Sequence, residues 1–293
     1  MMPSDLELAH ANGCGPFAGP GPAPFAAPPF SSASRPLSQR EFTNENRFYW
    51  TARSASYSSQ NQHELVGARA QVWSRELLGP IEQTLGRRDP AQVRVLDIGC
   101  GPGIFSVLLA REGFAVTAID YTPEMLKNAR ANAGQLARNI DWRFMDAQDL
   151  DFADGSFDVV VSRNVTWNLP DPLRAYRSWA RVLAGGGVLV NFDASWYAYL
   201  FDRDDERRHR TRELVGSVGM DGSRVRTDVD AMERIALQAP LSSADRPVWD
   251  AEVLGALGFE VQVDRQVGKR VWTPHEQELF SATPLFKVVA TRP

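Results

Sequence analysis

Residues 95–105 read Val-Leu-Asp-Ile-Gly-Cys-Gly-Pro-Gly-Ile-Phe, and no other stretch restricts the fold so closely. The apolar run from Val93 to Ile98 has the length of a buried strand. Phe105, Leu108 and Leu109 then share one face of a helix that begins near Gly103. Strand, glycine turn and helix in succession form the opening unit of an α/β sheet. Gly99, Gly101 and Gly103 leave out side chains where the backbone must bend and a ligand must come close. The free N–H groups at the helix start can meet an anionic group. Together these features predict a nucleotide-type cofactor site.

The spacing narrows the cofactor. A dinucleotide fingerprint requires G-x-G-x-x-G, and the third glycine would fall at Ile104. Asp97 also lies inside the strand end, where a carboxylate repels a diphosphate but accepts hydrogen bonds from an ammonium group. A cofactor with an amino-acid tail therefore fits better. Downstream, Phe114 to Ile119 forms a second short apolar strand with Asp120 at its tip, placed to accept from both ribose hydroxyls. Tyr121 follows, and Thr122-Pro123 reads as a helix start with Met125 and Leu126 on its apolar face. Strands are also expected over 141–145, ending in Asp146-Ala147, over 156–162, ending in Arg163-Asn164, and over 187–192. Each ends in polar residues, and open α/β sheets bind ligands outside the carboxyl ends of their strands.

These segments, with Arg181-Val-Leu-Ala-Gly-Gly-Gly-Val-Leu-Val190, resemble the class I S-adenosylmethionine-dependent methyltransferases over about residues 45–293. The resemblance implies a seven-stranded, mostly parallel sheet flanked by helices, with S-adenosylmethionine as cofactor and S-adenosylhomocysteine as product. It implies that Gly99, Gly101 and Gly103 wrap the methionine moiety, with Asp97 near its amino group. Asp120 would hold the ribose, Tyr121 and Met125 would flank the adenine, and Asp146, next to Ala147, would accept from the adenine amino group. Asn164 would lie beside the sulfonium. One departure is visible: the family's usual R-V-L-K-P-G-G reads Arg-Val-Leu-Ala-Gly-Gly-Gly here, at a turn that only delivers the fifth strand.

The rest of the chain bears on the substrate. Residues 1–40 are rich in proline, glycine and alanine and read as a disordered tail without the pattern of a signal peptide. Its phenylalanines could dock on a second subunit, which leaves a homodimer open. Residues 41–90 read as an N-terminal helical cap. Tyr49, Arg53 and Tyr57 fall four apart on one helical face. Similar helices in small-molecule methyltransferases close over the cofactor, which makes Tyr57 a cap contact and extends the same expectation, less directly, to Tyr49 and Arg53. Helix is expected to continue from His63 to Leu85. Residues 91–293 read as the cofactor-binding α/β domain. Between the fifth strand and a last helix near Trp249–Leu257 stands a long insertion, about 195–247, read as a helical lid. A second insertion, about 268–284, interrupts the closing hairpin. Trp50, Trp167, Phe192, Trp196, Tyr197, Tyr199 and Trp272 are expected to wall an aromatic pocket, no more than half of them touching ligand.

Methyl transfer is an in-line displacement in which alignment alone can supply ~7–11 kcal/mol of the barrier. Candidate catalytic residues at the pocket rim are Asn164, Trp167, Asp193 and His275. His275, after Thr273-Pro274, also reads as a helix-start residue, and Asp193 equally as a cap. The net charge of −4, and the acids interleaved among the bases of residues 203–212, argue against a nucleic-acid partner. Two cysteines argue for a reducing, cytoplasmic setting; no apolar run is long enough for a membrane, and no metal-ligand cluster is apparent. The reading is methyl transfer to a small molecule of specialised metabolism. The alternatives are a protein or RNA methyltransferase and a non-catalytic cofactor-binding regulator.

Overall fold

The computed structural model describes residues 36–217 and 228–293. The expected disordered tail falls almost entirely outside them. The chain enters through α1 (Gln39–Gln62), started by a capping box in which Ser38 accepts from the Glu41 amide and donates its own to the Glu41 carboxylate. After the 3-10 turn His63–Leu65 the helix breaks at Val66, whose backbone is extended, and α2 (Gly67–Leu85) begins. The continuous helix expected from His63 is thus interrupted, because Gly67 has φ +57°.

The α/β core follows as β1 (Arg94–Ile98), α3 (Ile104–Arg111), β2 (Ala115–Asp120), α4 (Pro123–Ala133), β3 (Ile140–Phe144), β4 (Phe157–Arg163), α5 (Pro172–Val182) and β5 (Leu183–Asp193). Beyond β5 lie α6 (Asp205–Ser217), α7 (Val229–Ala236), α8 (Val248–Ala256), β6 (Glu260–Asp264), α9 (Gly268–Val271), α10 (Pro274–Leu279) and β7 (Phe286–Thr291). The sheet order is β3-β2-β1-β4-β5-β7-β6, parallel except for β7, which runs antiparallel to both neighbours. The order reverses between β1 and β4, the position at which such sheets open a crevice beyond their carboxyl ends.

Strand alternation feeds two cores, one on each face of the sheet. Val95, Val159, Val161, Val190 and Phe192 meet Trp73 and Leu77 of α2 and Phe105 and Leu109 of α3. Leu96, Ile98, Val160 and Leu189 meet Tyr176 and Trp179 of α5 and Trp249 and Leu254 of α8. Phe192 is fully buried against Trp73 and Phe105, at centroid distances of 5.7 and 5.2 Å. The sequence expectation that it walls a pocket is corrected: it is core.

A third cluster joins α1 to the lid through Phe42, Tyr49, Trp167, Tyr197, Tyr199, Met232 and Ile235. By contrast, α1 meets α4 along a polar seam. Asn128 Nδ2 donates to the Ser54 carbonyl (3.0 Å), Asn132 Nδ2 to Ser58 Oγ (3.1 Å), and Gln62 Nε2 to Asn132 Oδ1 (2.9 Å). Among the described residues no helix is long and apolar enough to cross a membrane.

Candidate active site

The cleft at the β1/β4 crevice is lined by Tyr57, Asp97, Gly99, Gly101, Asp120, Tyr121, Met125, Asp146, Ala147 and Asn164. It is an open cleft with about 930 Å³ of empty space, solvent at its mouth included. Gly103 is absent from this lining. It forms the N-cap position of α3, where an added Cβ would come within 3.0 Å of Ala129. At Gly99 an added Cβ would lie 2.4 Å from a Val165 methyl, so that glycine admits the loop after β4. Gly101 is the least crowded of the three, an added Cβ meeting only the Tyr57 ring at an ordinary contact distance of 3.7 Å.

Two buried carboxyls frame the turn. Asp97 accepts from Ser106 Oγ of α3 at 2.5 Å, and burial, aided by the Asp120 charge, pushes its pKa up to about 7. Asp120 accepts from the Gly101 amide (2.9 Å) and the Thr122 amide (2.8 Å), and burial raises it to about 6. Thr122 occupies the N-cap position of α4, but its hydroxyl makes no capping bond. At the adenine end suggested by the sequence, Asp146 accepts from the Gln148 amide (2.9 Å).

Asn164 is the sole non-glycine residue with positive φ (+57°) among the described residues, and its buried Oδ1 has no partner. Backbone strain of this kind concentrates at functional sites. Its carbonyl accepts from the Trp167 indole at 3.1 Å, and Trp167 stacks on Tyr197 at 5.1 Å.

Trp167 is itself buried and absent from the cleft lining, and the two remaining catalytic candidates lie elsewhere. Asp193 is fully buried and accepts from Arg246 Nη1 (2.9 Å), Thr166 Oγ1 (2.5 Å) and the Trp167 amide (3.0 Å). A carboxylate so occupied cannot serve as a base; it fixes the Thr166–Asn168 turn. His275 sits in the first turn of α10, exposed and outside the cleft lining. Of the expected aromatic wall, Trp50 lines the cleft. Trp196 and Trp272 group with Phe280.

Sequence reasoning assigned no role to Arg163 or Asn46, which line the cleft together with Asn168. Arg163 forms a bidentate pair with Glu64 (2.8 and 2.9 Å) and lies 4.2 Å over the Trp73 ring, with its buried Nε unpartnered. Asn46 and Asn168 bind reciprocally across the cleft: Asn46 Nδ2 donates to the Asn168 carbonyl (3.0 Å) and Asn168 Nδ2 to Asn46 Oδ1 (2.8 Å).

The chemistry of these groups fits S-adenosylmethionine. A buried carboxyl beside a side-chain-free turn suits an ammonium, and a buried guanidinium with a free Nε suits a carboxylate. A tip acid suits a ribose diol. The sheet order and its flanking helices are those of the class I methyltransferase fold. Residues 96–191 match the family described as "Methyltransferase domain". Among curated proteins, the chain is 40% identical over 110 residues to a ubiquinone biosynthesis O-methyltransferase of Xanthomonas axonopodis pv. citri, a match covering 37% of this chain and 46% of that protein. The chain thus spans about half the length of the curated relatives it matches. Among solved structures, the fold is similar to the CurJ carbon methyltransferase (TM-score 0.53, 18% identity, 80% of this chain and 58% of that one). It is also similar to geranyl diphosphate C-methyltransferase from Streptomyces coelicolor A3(2), at TM-score 0.50 and 14% identity, over 76% of this chain and 79% of that one.

Proposed function

We propose that the protein transfers a methyl group from S-adenosylmethionine to a small organic acceptor. The observation that carries this reading is the convergence of Asp97, the uncrowded face of Gly101 and Asp120 on one cleft at the switch point of the sheet. The cofactor supplies a methyl carbon already activated by a sulfonium. Asp97 holds the ammonium, Arg163 Nε takes the carboxylate, and Asp120 accepts from the ribose. Tyr121 and Met125 flank the adenine, with Asp146 and Ala147 at its edge and Tyr57 above the turn. Asn164 Oδ1, buried and unpartnered, accepts from an O–H or N–H of the acceptor and so orients its lone pair toward the methyl. Trp167 holds Asn164 through its carbonyl. The Asn46–Asn168 clasp closes the cleft against water, which would otherwise compete for hydrogen bonds.

The O-methyltransferase names of the curated relatives support a small-molecule acceptor. Calorimetry with S-adenosylhomocysteine tests the reading. The intact protein should bind it, and Asp120→Asn, which keeps the side chain's shape but removes one acceptor oxygen, should weaken binding about tenfold or more. No binding by the intact protein rejects the assignment.

A further inference from the structure

Among the described residues, four charged side chains line the cleft, and three of them are acids: Asp97, Asp120 and Asp146. The fourth is Arg163 at the tip of β4, the one cation there, whose side chain remains 13% exposed. Tyr49 and Arg53 of α1, which the sequence suggested as further cap contacts, are not in that lining. Behind Arg163, outside the lining, stands Glu64 of the 3-10 turn between α1 and α2. Glu64 is buried, and it takes both terminal nitrogens of the guanidinium, Oε2 from Nη1 at 2.8 Å and Oε1 from Nη2 at 2.9 Å. Trp73 donates its indole N–H to the same Oε1 (3.1 Å) and lays its ring against the guanidinium at 4.2 Å. The other base nearby, Arg69, lies closer to Glu276 (2.9 Å) than to Glu64 (3.4 Å). Glu64 and Arg163 therefore match each other, and the fork leaves Nε as the guanidinium's unpartnered donor.

A buried counterion in this place bears on more than geometry. S-adenosylmethionine carries a sulfonium, whereas S-adenosylhomocysteine carries a neutral thioether. The carboxylate assigned to Arg163 is joined to that sulfur through three carbons, so the guanidinium stands near the atom whose charge changes in the reaction. Unmatched, it would repel the sulfonium and leave the thioether untouched. Charges inside a protein interact several-fold more strongly than in water, and salt screens buried pairs little. Glu64 cancels the repulsion from behind while Nε stays free to donate.

We infer that Glu64, acting through Arg163, makes the cleft favour the sulfonium cofactor over its thioether product. Glu64 touches neither ligand and is a positioning residue: it fixes the plane of the guanidinium and neutralises its charge. The consequence is for turnover. Product held no more tightly than cofactor is displaced by it, and the cleft is reloaded without a separate release step. The inference rests on the methyltransferase reading and on the cofactor carboxylate lying at Arg163.

Calorimetry on the full-length protein with S-adenosylmethionine and S-adenosylhomocysteine, without an acceptor, tests it. The wild type should bind the cofactor at least as tightly as the product. Glu64→Gln, which keeps the side chain's shape and removes its charge, should shift the ratio of the two affinities about fivefold or more toward the product. Glu64→Asp retains the charge and should keep the ratio within about twofold of the wild type. A role confined to packing would lower both affinities together and leave the ratio unchanged in Glu64→Gln, and that result overturns the inference. So does a shift in Glu64→Asp as large as that in Glu64→Gln. Tighter binding of the product by the wild type also overturns it, which decides the matter even if Glu64→Gln does not fold; the cofactor assignment then stands. Binding of neither ligand by the intact protein removes the methyltransferase reading, and this inference with it.

Discussion

Burial holds the Asp97 and Asp120 carboxyls up, to about 7 and about 6, because both sit in the crevice with few hydrogen bonds to offset desolvation. In the ligand-free fold a raised acid favours the protonated state, so these groups stabilise the protein at low pH. That contribution is full below the unfolded value of 3.8 and is lost as pH rises from there through the folded values of about 6 and about 7. A bound ammonium and ribose reverse the preference by favouring the ionised forms. S-adenosylhomocysteine affinity should therefore fall as pH drops from 8 to 5.5, about tenfold per pH unit below each group's pKa. Its thermal shift should be larger at pH 8 than at pH 6; an equal shift at both would remove these carboxyls from the site. At this scale the sequence was legible where one residue does one thing. The tip acid and the buried strand acid could be located by spacing alone. The three glycines could not be separated, because what distinguishes them is the neighbour an added Cβ would meet: a clash with Val165 at Gly99, an ordinary contact with Tyr57 at Gly101, and a close approach to Ala129 at Gly103.

The Thr166–Asn168 turn, which carries Trp167, owes its position to a buried charge network. Asp193 from the end of β5 and Arg246 from the approach to α8 meet beneath it, and Asp250 of α8 accepts from Arg246 at 2.7 and 2.8 Å and from Tyr176 at 2.6 Å. Removing one partner strands the others in a medium that cannot solvate them. Arg246→Leu should cost about 3–5 kcal/mol of unfolding free energy, measurable by urea denaturation, and an effect below about 1 kcal/mol would show the network to be dispensable. Sequence reading placed Asp193 correctly at a strand tip and could assign it only a base or cap role. Its partner is distant in the chain, and no local pattern announces a pair so separated. The strands themselves were legible because apolar runs ending in polar tips are local. The break at Val66 was not, since the apolar periodicity continues across it and only Gly67 gave a sign.

Across the whole molecule, two kinds of surface hold the N-terminal region to the sheet. α2 is anchored by Trp73, Leu77 and Ile81, each at most 2% exposed, and burial of such side chains contributes about 1.5–3 kcal/mol apiece. The arginine of α9, Arg270, adds a link by binding Glu76 of α2, as does Lys287 of β7 (2.8 Å), and together they lower the Glu76 pKa to about 2. α1 instead leans on α4 through side-chain amides and hydroxyls, each worth about 0.5–1.5 kcal/mol net, since water offers nearly the same partners. Hydrogen–deuterium exchange should register the contrast. Amides of α1 should exchange well before those of α2, and S-adenosylhomocysteine should slow α1 selectively. Uniform protection of both helices would place them in one cooperative unit.

The seam along α4 also sets how a ligand can come and go. A cover fastened by apolar packing would have to expose that surface each time it lifted, whereas one fastened by amide and hydroxyl groups parts into water with its donors and acceptors resolvated. The break at Val66 separates α1 from α2, so α1 can part from α4 along this seam with α2 left in place, while Phe42 and Tyr49 keep it packed on Met232 and Ile235 of the lid.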